Sequence, residues 1–298
     1  MSTAPSRSFG SVGVAMVTPF TPQGELDIPA AQALALSLVE DGADMILLSG
    51  TTGEAPTTHL PEKQALIREV KDALAGRAMI VAGAGSNDTA HAVRNGVGSQ
   101  EAGAQGLLIN APYYNRPSQE GVYQHIMAVV EATDLPVMIY DIPGRTGVRI
   151  TDETLARLAE HPRVKAVKDA TGDVEQGFAR MEATGLEFYS GDDGLNFAWL
   201  AHGASGVVSV VAHADAHSWR TMIEEVDAGD LPGARAVAQR MRPLVKAMMG
   251  GGQGAVMAKE ALLLQGRLPH ADLRLPLVRA QAEEVAALRK TLEELRLL

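Results

Sequence analysis

The chain has 298 residues, 46% of them hydrophobic, with a formal net charge of −10 and no cysteine, and its pI is near 5.3. That is core enough for one large domain or two modest ones; it argues against a nucleic-acid partner, which would want a basic face, and it excludes disulfides, thiolate metal sites and cysteine nucleophiles. The polar start "MSTAPSRSFG" lacks the apolar core of a signal peptide, and no apolar run approaches the roughly 20 residues that span a bilayer, so the expectation is a soluble, cytoplasmic protein without a membrane partner.

Short apolar runs alternate with longer amphipathic ones. Eight read as strands: "VGVAMVTP" (12–19), "DMILLSG" (44–50), "AMIVAGAG" (78–85), "GLLIN" (106–110), "PVMIYD" (136–141), "VKAVKD" (164–169), "EFYSG" (187–191) and "GVVSVV" (206–211). Most are rich in Val, Ile and Leu, as strands buried on both faces should be. Between them lie helical patterns such as "PEKQALIREVKDALAG" (61–76), where Ala65, Leu66, Val70, Ala73 and Leu74 recur at helical spacing and Gly76 marks a stop. Strand starts recur about every 20 to 35 residues, the size of a β-α unit. The expected fold is therefore an α/β protein, a (β/α)8 TIM barrel.

From about residue 226 the patterns are all helical, in three pieces: "PGARAVAQRMRPLVKAMM", "GAVMAKEALLLQG" and "LVRAQAEEVAALRKTLEELRLL". The expected division is a catalytic barrel over 1–225 and a C-terminal three-helix extension over 226–298. The Leu/Val/Ala stripe of the last piece lasts only about three heptads, which favours packing on its own chain over a partner-binding coiled coil. A doubly wound fold is weaker: in "GAGSND" (83–88), Asp88 stands where a dinucleotide fingerprint needs its third glycine, and "GGGQG" (250–254) lacks the following Lys-Ser/Thr of a phosphate loop. Both read as a turn and a helix boundary.

In a β/α barrel the chemistry sits at the C-terminal ends of the strands. There the sequence places "SGTTGE" (49–54), "NAPYYNRP" (110–117), "YDIPGRTG" (140–147), "KDATG" (168–172) and "SGDDG" (190–194). Singly, a threonine is usually a cap, a tyrosine packs and a lysine snorkels; their joint arrival on one rim suggests a site. Side-chain alternation puts Val164, Ala166 and Lys168 on one face of strand 6, and Met138 and Tyr140 on one face of strand 5. If those faces point inward, Lys168 crowns an apolar lining that disfavours its ammonium form and makes the amine nucleophilic. The bland alternative pairs Lys168 with Asp169 or Asp192. "GTTGE" can turn backbone N–H groups and two hydroxyls toward one small anion, or simply cap a helix. "IPGRTG" sets Arg145 on a rigid turn, either as a fork for a carboxylate or as an ordinary surface arginine.

Taken together, "GTTGE" (50–54), "PYYNRPSQEG" (112–121), "YDIPGRTG" (140–147), "VKDATGD" (167–173), "YSGDDG" (189–194) and "GVVSV" (206–210) closely resemble the dihydrodipicolinate synthases of the pyruvate-dependent class I aldolase superfamily, which includes N-acetylneuraminate lyase. The resemblance runs from "AMVTPF" (15–20) to "LRLPL" (273–277). It implies a lyase that condenses pyruvate with L-aspartate 4-semialdehyde in diaminopimelate and lysine biosynthesis, with no cofactor and no metal. It implies that Lys168 forms the imine with pyruvate, that Tyr140 is the general acid/base, and that Thr51 and Tyr114 relay protons, Tyr114 being lent by a neighbouring subunit. It implies pyruvate binding at Thr51, Thr52 and Val208, with Gly191 also in the substrate site, and Arg145 as anchor for the second substrate's carboxylate. A homotetramer is the family's habit.

Two departures stand out. "GGGQGAVMAKEAL" replaces an Asn-Pro-rich segment of many relatives. Lysine-inhibited relatives line an inter-subunit cleft with two histidines and a glutamate; here the matching positions are Leu60, Lys63 and His91, while Asn87 matches. A cation at Lys63 opposes a second ammonium ion, so weak or absent inhibition by free lysine is expected. Three other readings stay open: a sugar-acid or 2-keto-3-deoxy acid lyase of the same Schiff-base class, a non-catalytic sensor on the scaffold, and a metal-dependent aldolase using His213, Asp215 and His217 of "AHADAH" (212–217).

Overall fold

Eight parallel strands close on themselves in chain order, β1 pairing with both β2 and β8. They are β1 (Val12–Ala15), β2 (Met45–Leu48), β3 (Met79–Gly83), β4 (Gly106–Asn110), β5 (Val137–Asp141), β6 (Val164–Asp169), β7 (Glu187–Ser190) and β8 (Gly206–Ser209) in a computed structural model that describes residues 5–251 and 253–298. Each strand falls inside its predicted run. The runs of β1, β2, β3 and β8 outlast their strands because the following residues leave the ladder yet stay buried, as Met16 and Val17 do after β1.

The helices are α1 (Ile28–Glu40), α2 (Leu60–Leu74), α3 (Thr89–Ala102), α4 (Gln119–Glu131), the single turn α5 (Pro143–Thr146), α6 (Asp152–Ala159), α7 (Val174–Thr184), α8 (Asn196–Ala201), α9 (Ala216–Asp227), α10 (Leu231–Met249), α11 (Gly254–Leu264) and α12 (Ala282–Glu294). Polar side chains start them: Asp27, Asp88, Ser118, Thr151, Asp173, Asp215 and Asp230 each accept a first-turn N–H, satisfying donors that a helix leaves unpaired. Asp88 is thus the cap of α3, at the end of the turn expected over "GAGSND". Gly250 caps α10 and Gly254 opens α11.

Two apolar cores result. The larger lies between barrel and helices. The smaller fills the barrel and holds Ala15, Met45, Leu47, Val81, Leu108, Met138, Tyr140, Ala166, Tyr189 and Val208. Ala166 faces inward as expected, but Val164 belongs to the outer core. The cause is a register shift: Val137 pairs with Val164 while Met138 pairs with Ala166, so Lys165 is an extra residue that bulges out, exposed. Alternation holds only downstream of it.

The expected division at 225 falls in the last turn of α9, which runs to Asp227. Helices α10, α11 and α12 follow, and α12 begins at Ala282, later than its apolar pattern suggests. Its Leu288 and Leu292 are fully buried in the larger core, so the stripe packs on its own chain. Among the described residues no helix is long and apolar enough to cross a membrane.

Candidate active site

Lys168 and Tyr140 are register partners at the ends of β6 and β5. The lysine Nζ lies 4.3 Å from the centre of the tyrosine ring. Both side chains are buried. Gly191 makes room: a Cβ there would stand 3.0 Å from Cγ and Cε of Lys168. Neither partner offered by the sequence neutralises the lysine. Asp169 points to the other face and accepts from the N–H and Oγ1 of Thr171 at 2.9 and 2.8 Å; Asp192 accepts from Gly194 N–H at 3.0 Å. Burial therefore lowers the Lys168 pKa to about 8, with Asp193 opposing and Arg145 reinforcing the fall. At pH 7.5 roughly a quarter of such an amine is neutral, against about one part in a thousand for an ordinary lysine.

Asp193 is the charge that sequence reasoning passed over. It is buried and accepts from Ser209 Oγ, from the N–H groups of Val210 and Val211 at 2.9 and 3.1 Å, and from the Asn196 amide at 3.2 Å. Burial raises its pKa and these donors oppose the rise. Its only sequence signal was a second acid in "SGDDG".

Burial also raises the Tyr140 pKa, against the pull of Arg145, so the phenol keeps its proton and can donate it. Tyr140 forms part of the wall of a cavity of about 570 Å³, together with Thr51, Tyr113 and Arg145. Lys168 lies behind that wall, against the Tyr140 ring. Arg145 is carried by α5, the single turn that leaves β5 directly. Thr52, Gly191 and Val208 also lie off the wall, Thr52 nearly buried and Val208 inside the barrel core.

Tyr114 is placed differently. It is 89% exposed, and Tyr113, not Tyr114, lines its own chain's cavity. Left-handed backbone at Tyr114 (φ 74°) and Arg116 (φ 48°) turns this loop outward. A relay through Thr51, Tyr114 and Tyr140 is not assembled within one chain.

The turn that carries Thr51 and Thr52 is held at both ends by left-handed non-glycine residues, Ser49 (φ 54°) and Glu54 (φ 55°). Such residues cost of order 1–3 kcal/mol each and persist where surroundings enforce them. Gly83 lets the Ser49 carbonyl approach β3, where a Cβ would collide with it. Thr18 Oγ1 donates to Gly53 O at 2.7 Å. Glu54 is anchored from the far end of the chain by Lys259 Nζ at 2.6 Å. In the sequence Lys259 stands out only as one charged position beside Glu260 in the apolar "GAVMAKEALLLQG", and Glu260 pairs instead with Arg279.

The metal-site alternative fails on geometry. His213 is fully buried, its Nδ1–H donates to Val210 O at 2.7 Å, and its Nε2 accepts from Val17 N–H at 3.0 Å. Burial lowers its pKa to about 4. Asp215 caps α9 through Ser218, and His217 is exposed on that helix. Both nitrogens of the central imidazole are committed to backbone.

Fold and site together define a lyase of the (β/α)8-barrel class, built around a buried lysine. Residues 8–295 match the Dihydrodipicolinate synthetase family, and the chain belongs to it. It is similar to the 4-hydroxy-tetrahydrodipicolinate synthase of Corynebacterium aurimucosum, 50% identical over 96% of this chain and 95% of that one. It is equally similar to the enzyme of that name from Kineococcus radiotolerans, 50% identical over 95% and 92%. The dihydrodipicolinate synthase crystal structure from Cyanidioschyzon merolae with lysine bound superimposes with a TM-score of 0.93 at 41% identity, over 97% of this chain and 99% of that one.

Proposed function

We propose that this lyase condenses pyruvate with L-aspartate 4-semialdehyde through an imine on Lys168, giving 4-hydroxy-tetrahydrodipicolinate. The observation that carries the reading is a buried lysine without an ion-pair partner among the described residues, its pKa lowered to about 8, against a tyrosine that keeps its proton. The neutral amine attacks the keto carbon and water leaves. The protonated imine withdraws electrons, the pyruvate methyl loses a proton, and the resulting enamine carbon adds to the aldehyde. The semialdehyde's own amine then attacks the imine carbon, closes the ring and releases Lys168. One water is lost overall.

In this reading Tyr140 gives and takes the protons, the Thr51–Thr52 turn holds the pyruvate carboxylate above Val208 and Gly191, and Arg145 receives the carboxylate of the second substrate. Tyr114 serves a neighbouring chain; its near-complete exposure on a fixed left-handed backbone supports a role outside its own subunit. The enzyme then works as a homo-oligomer, a tetramer by family habit, on two small cytoplasmic metabolites.

Incubation with pyruvate and borohydride tests the mechanism. A reduced adduct on the peptide containing residue 168 is expected. Turnover without an adduct there contradicts it. A panel of aldehydes offered with pyruvate tests the acceptor; preference for a sugar aldehyde over aspartate semialdehyde contradicts the synthase assignment.

A further inference from the structure

Arg145 stands on a segment whose two ends are tied together. The segment, 142–149, leaves β5 after Asp141, makes the single turn α5 and comes back beside its own start at Ile150, shortly before α6. There Asp141 Oδ1 accepts from the Ile150 N–H at 3.3 Å. Arg180 of α7 completes the closure. Its Nη1 donates to Asp141 Oδ2 at 3.0 Å, its Nη2 to Ile150 O at 2.7 Å and its Nε to Asp152 Oδ1 at 2.6 Å. One guanidinium thus holds the end of β5, the end of the returning segment and the start of α6.

Stability alone does not account for this charge. Arg180 is 3% exposed and Asp141 2%, and such residues are seldom buried unless paired. An apolar pair of similar volume often stabilises a fold as well or better. What an apolar pair cannot supply is a rigid planar fork with its donors aimed at several acceptors at once. The other tethers reach the segment from the β4–α4 side: Arg116 Nε donates to Gly147 O at 3.2 Å, an exposed contact, and Gln119 Nε2 to Arg149 O at 2.8 Å. Neither Arg180 nor Asp141 lines the cavity, whereas Ile142, Arg145 and Thr146 of the segment do.

We propose that Arg180, with Asp141, is a positioning residue for the second substrate: it fixes segment 142–149 so that the Arg145 guanidinium meets that substrate's carboxylate. The inference rests on the anchoring role of Arg145 given above. Arg180 touches no substrate, and its effect passes through the segment. A displacement of about 1 Å far from the chemistry is enough to cost up to about a hundredfold in rate.

Hydrogen exchange on the full-length protein reads the clamp directly. The Thr146 and Gly147 amides donate to Ile142 O and Pro143 O, and in Arg180→Met they should exchange about tenfold faster or more. Unchanged exchange there overturns the proposal whatever the kinetics. Steady-state rates read the consequence: in Arg180→Met the KM for aspartate semialdehyde should rise about tenfold, while the KM for pyruvate and borohydride trapping on Lys168 stay within about twofold. An equal loss for both substrates marks a merely structural ion pair and overturns the proposal. Because Arg180 acts through Arg145, the double variant Arg180→Met with Arg145→Ala should match the semialdehyde KM of Arg145→Ala within about twofold; losses that multiply overturn the proposal. Should Arg180→Met fail to fold, Arg180→Lys takes its place. An ammonium keeps the charge opposite Asp141 but cannot reproduce the fork, so the same pattern is expected at about threefold, and wild-type exchange and KM in that variant overturn the proposal. Faster exchange in Arg180→Met with a normal semialdehyde KM in Arg145→Ala would support the clamp and overturn the anchoring role of Arg145 instead, so the two failures are told apart.

Discussion

Lys259 of α11 and Glu54 of the β2–α2 turn form an ion pair at 2.6 Å, each side chain 1% exposed, across 205 residues of sequence. Lys259 Nζ also donates to Asp272 O at 2.7 Å, and Arg274 N–H donates to the second Glu54 oxygen at 3.0 Å. The C-terminal helices thereby grip the turn that carries Thr51 and Thr52. Removing one partner strands a buried charge, at a cost of about 3–5 kcal/mol. Lys259→Met should lower Tm and raise the KM for pyruvate. The double replacement Glu54→Leu with Lys259→Met should recover most of the stability but not the KM, because Glu54 also holds Arg274. Thermal unfolding and pyruvate kinetics on the three proteins check this; a double variant with normal pyruvate KM would show that the pair does not position the turn.

The Lys168 pKa of about 8 makes a prediction for activity and an opposite one for stability. Imine formation needs the neutral amine, so kcat/KM for pyruvate should rise with pH and level off near pH 8. For stability the folded pKa lies below the unfolded value of about 10.4. The folded state therefore resists protonation, and this residue costs stability at every pH below 8. The cost shrinks as pH rises from 8 to about 10.4 and vanishes above. Lys168→Met should abolish turnover and stabilise the protein at pH 7 by up to about 3 kcal/mol. Denaturant unfolding of both proteins at pH 7 and pH 10.5 measures it; a gap that does not narrow at high pH contradicts the linkage.

The barrel was legible because buried parallel strands read as plain Val/Ile/Leu runs, and each observed strand lies within its run. The rim was legible too, since Lys168, Tyr140 and Arg145 stand at strand ends. Three features were hidden for physical reasons. The bulge at Lys165 obeys pairing with β5, which no local pattern reports. Asp193, not Asp192, faces the lysine's surroundings, because the helical turn after β7 decides which acid turns inward. The Glu54–Lys259 pair joins residues too distant for any periodicity to connect.

Gly191 offers a steric test of the site. An added Cβ would stand 2.9 Å from Asp169 O and 3.0 Å from the Lys168 stem, closer than side chains normally pack. Gly191→Ala should push the lysine off its place beside Tyr140 and lower kcat by about tenfold or more, near 1.4 kcal/mol of barrel-end misplacement. Far-ultraviolet circular dichroism and steady-state rates distinguish this from unfolding. A folded variant with wild-type kcat would show that the lysine tolerates displacement.

Arg145 should separate the two substrates. It is exposed, carried on the rigid α5 turn, and lines the cavity beside Tyr140. Arg145→Ala should raise the KM for aspartate semialdehyde by about a hundredfold, the loss of one charge-assisted fork of about 2–3 kcal/mol. Borohydride trapping of pyruvate on Lys168 should continue. Equal loss of both would place Arg145 on pyruvate instead.

Free lysine should be a poor inhibitor. By the resemblance, the cleft that lysine-inhibited relatives line with histidines and a glutamate carries Leu60, Lys63 and His91 here, on the same wall as Arg94 and without an acid among the described residues. An incoming ammonium group meets a buried cation in place of an acceptor. Like charges about 4 Å apart repel by about 4 kcal/mol at a dielectric near 20, which is the whole affinity of a millimolar ligand. Steady-state assays across a lysine series should show no saturable inhibition below about 1 mM. Tight inhibition would require Lys63 to leave the cavity when lysine enters, and Lys63→His should then strengthen lysine binding further by removing the cation that opposes it.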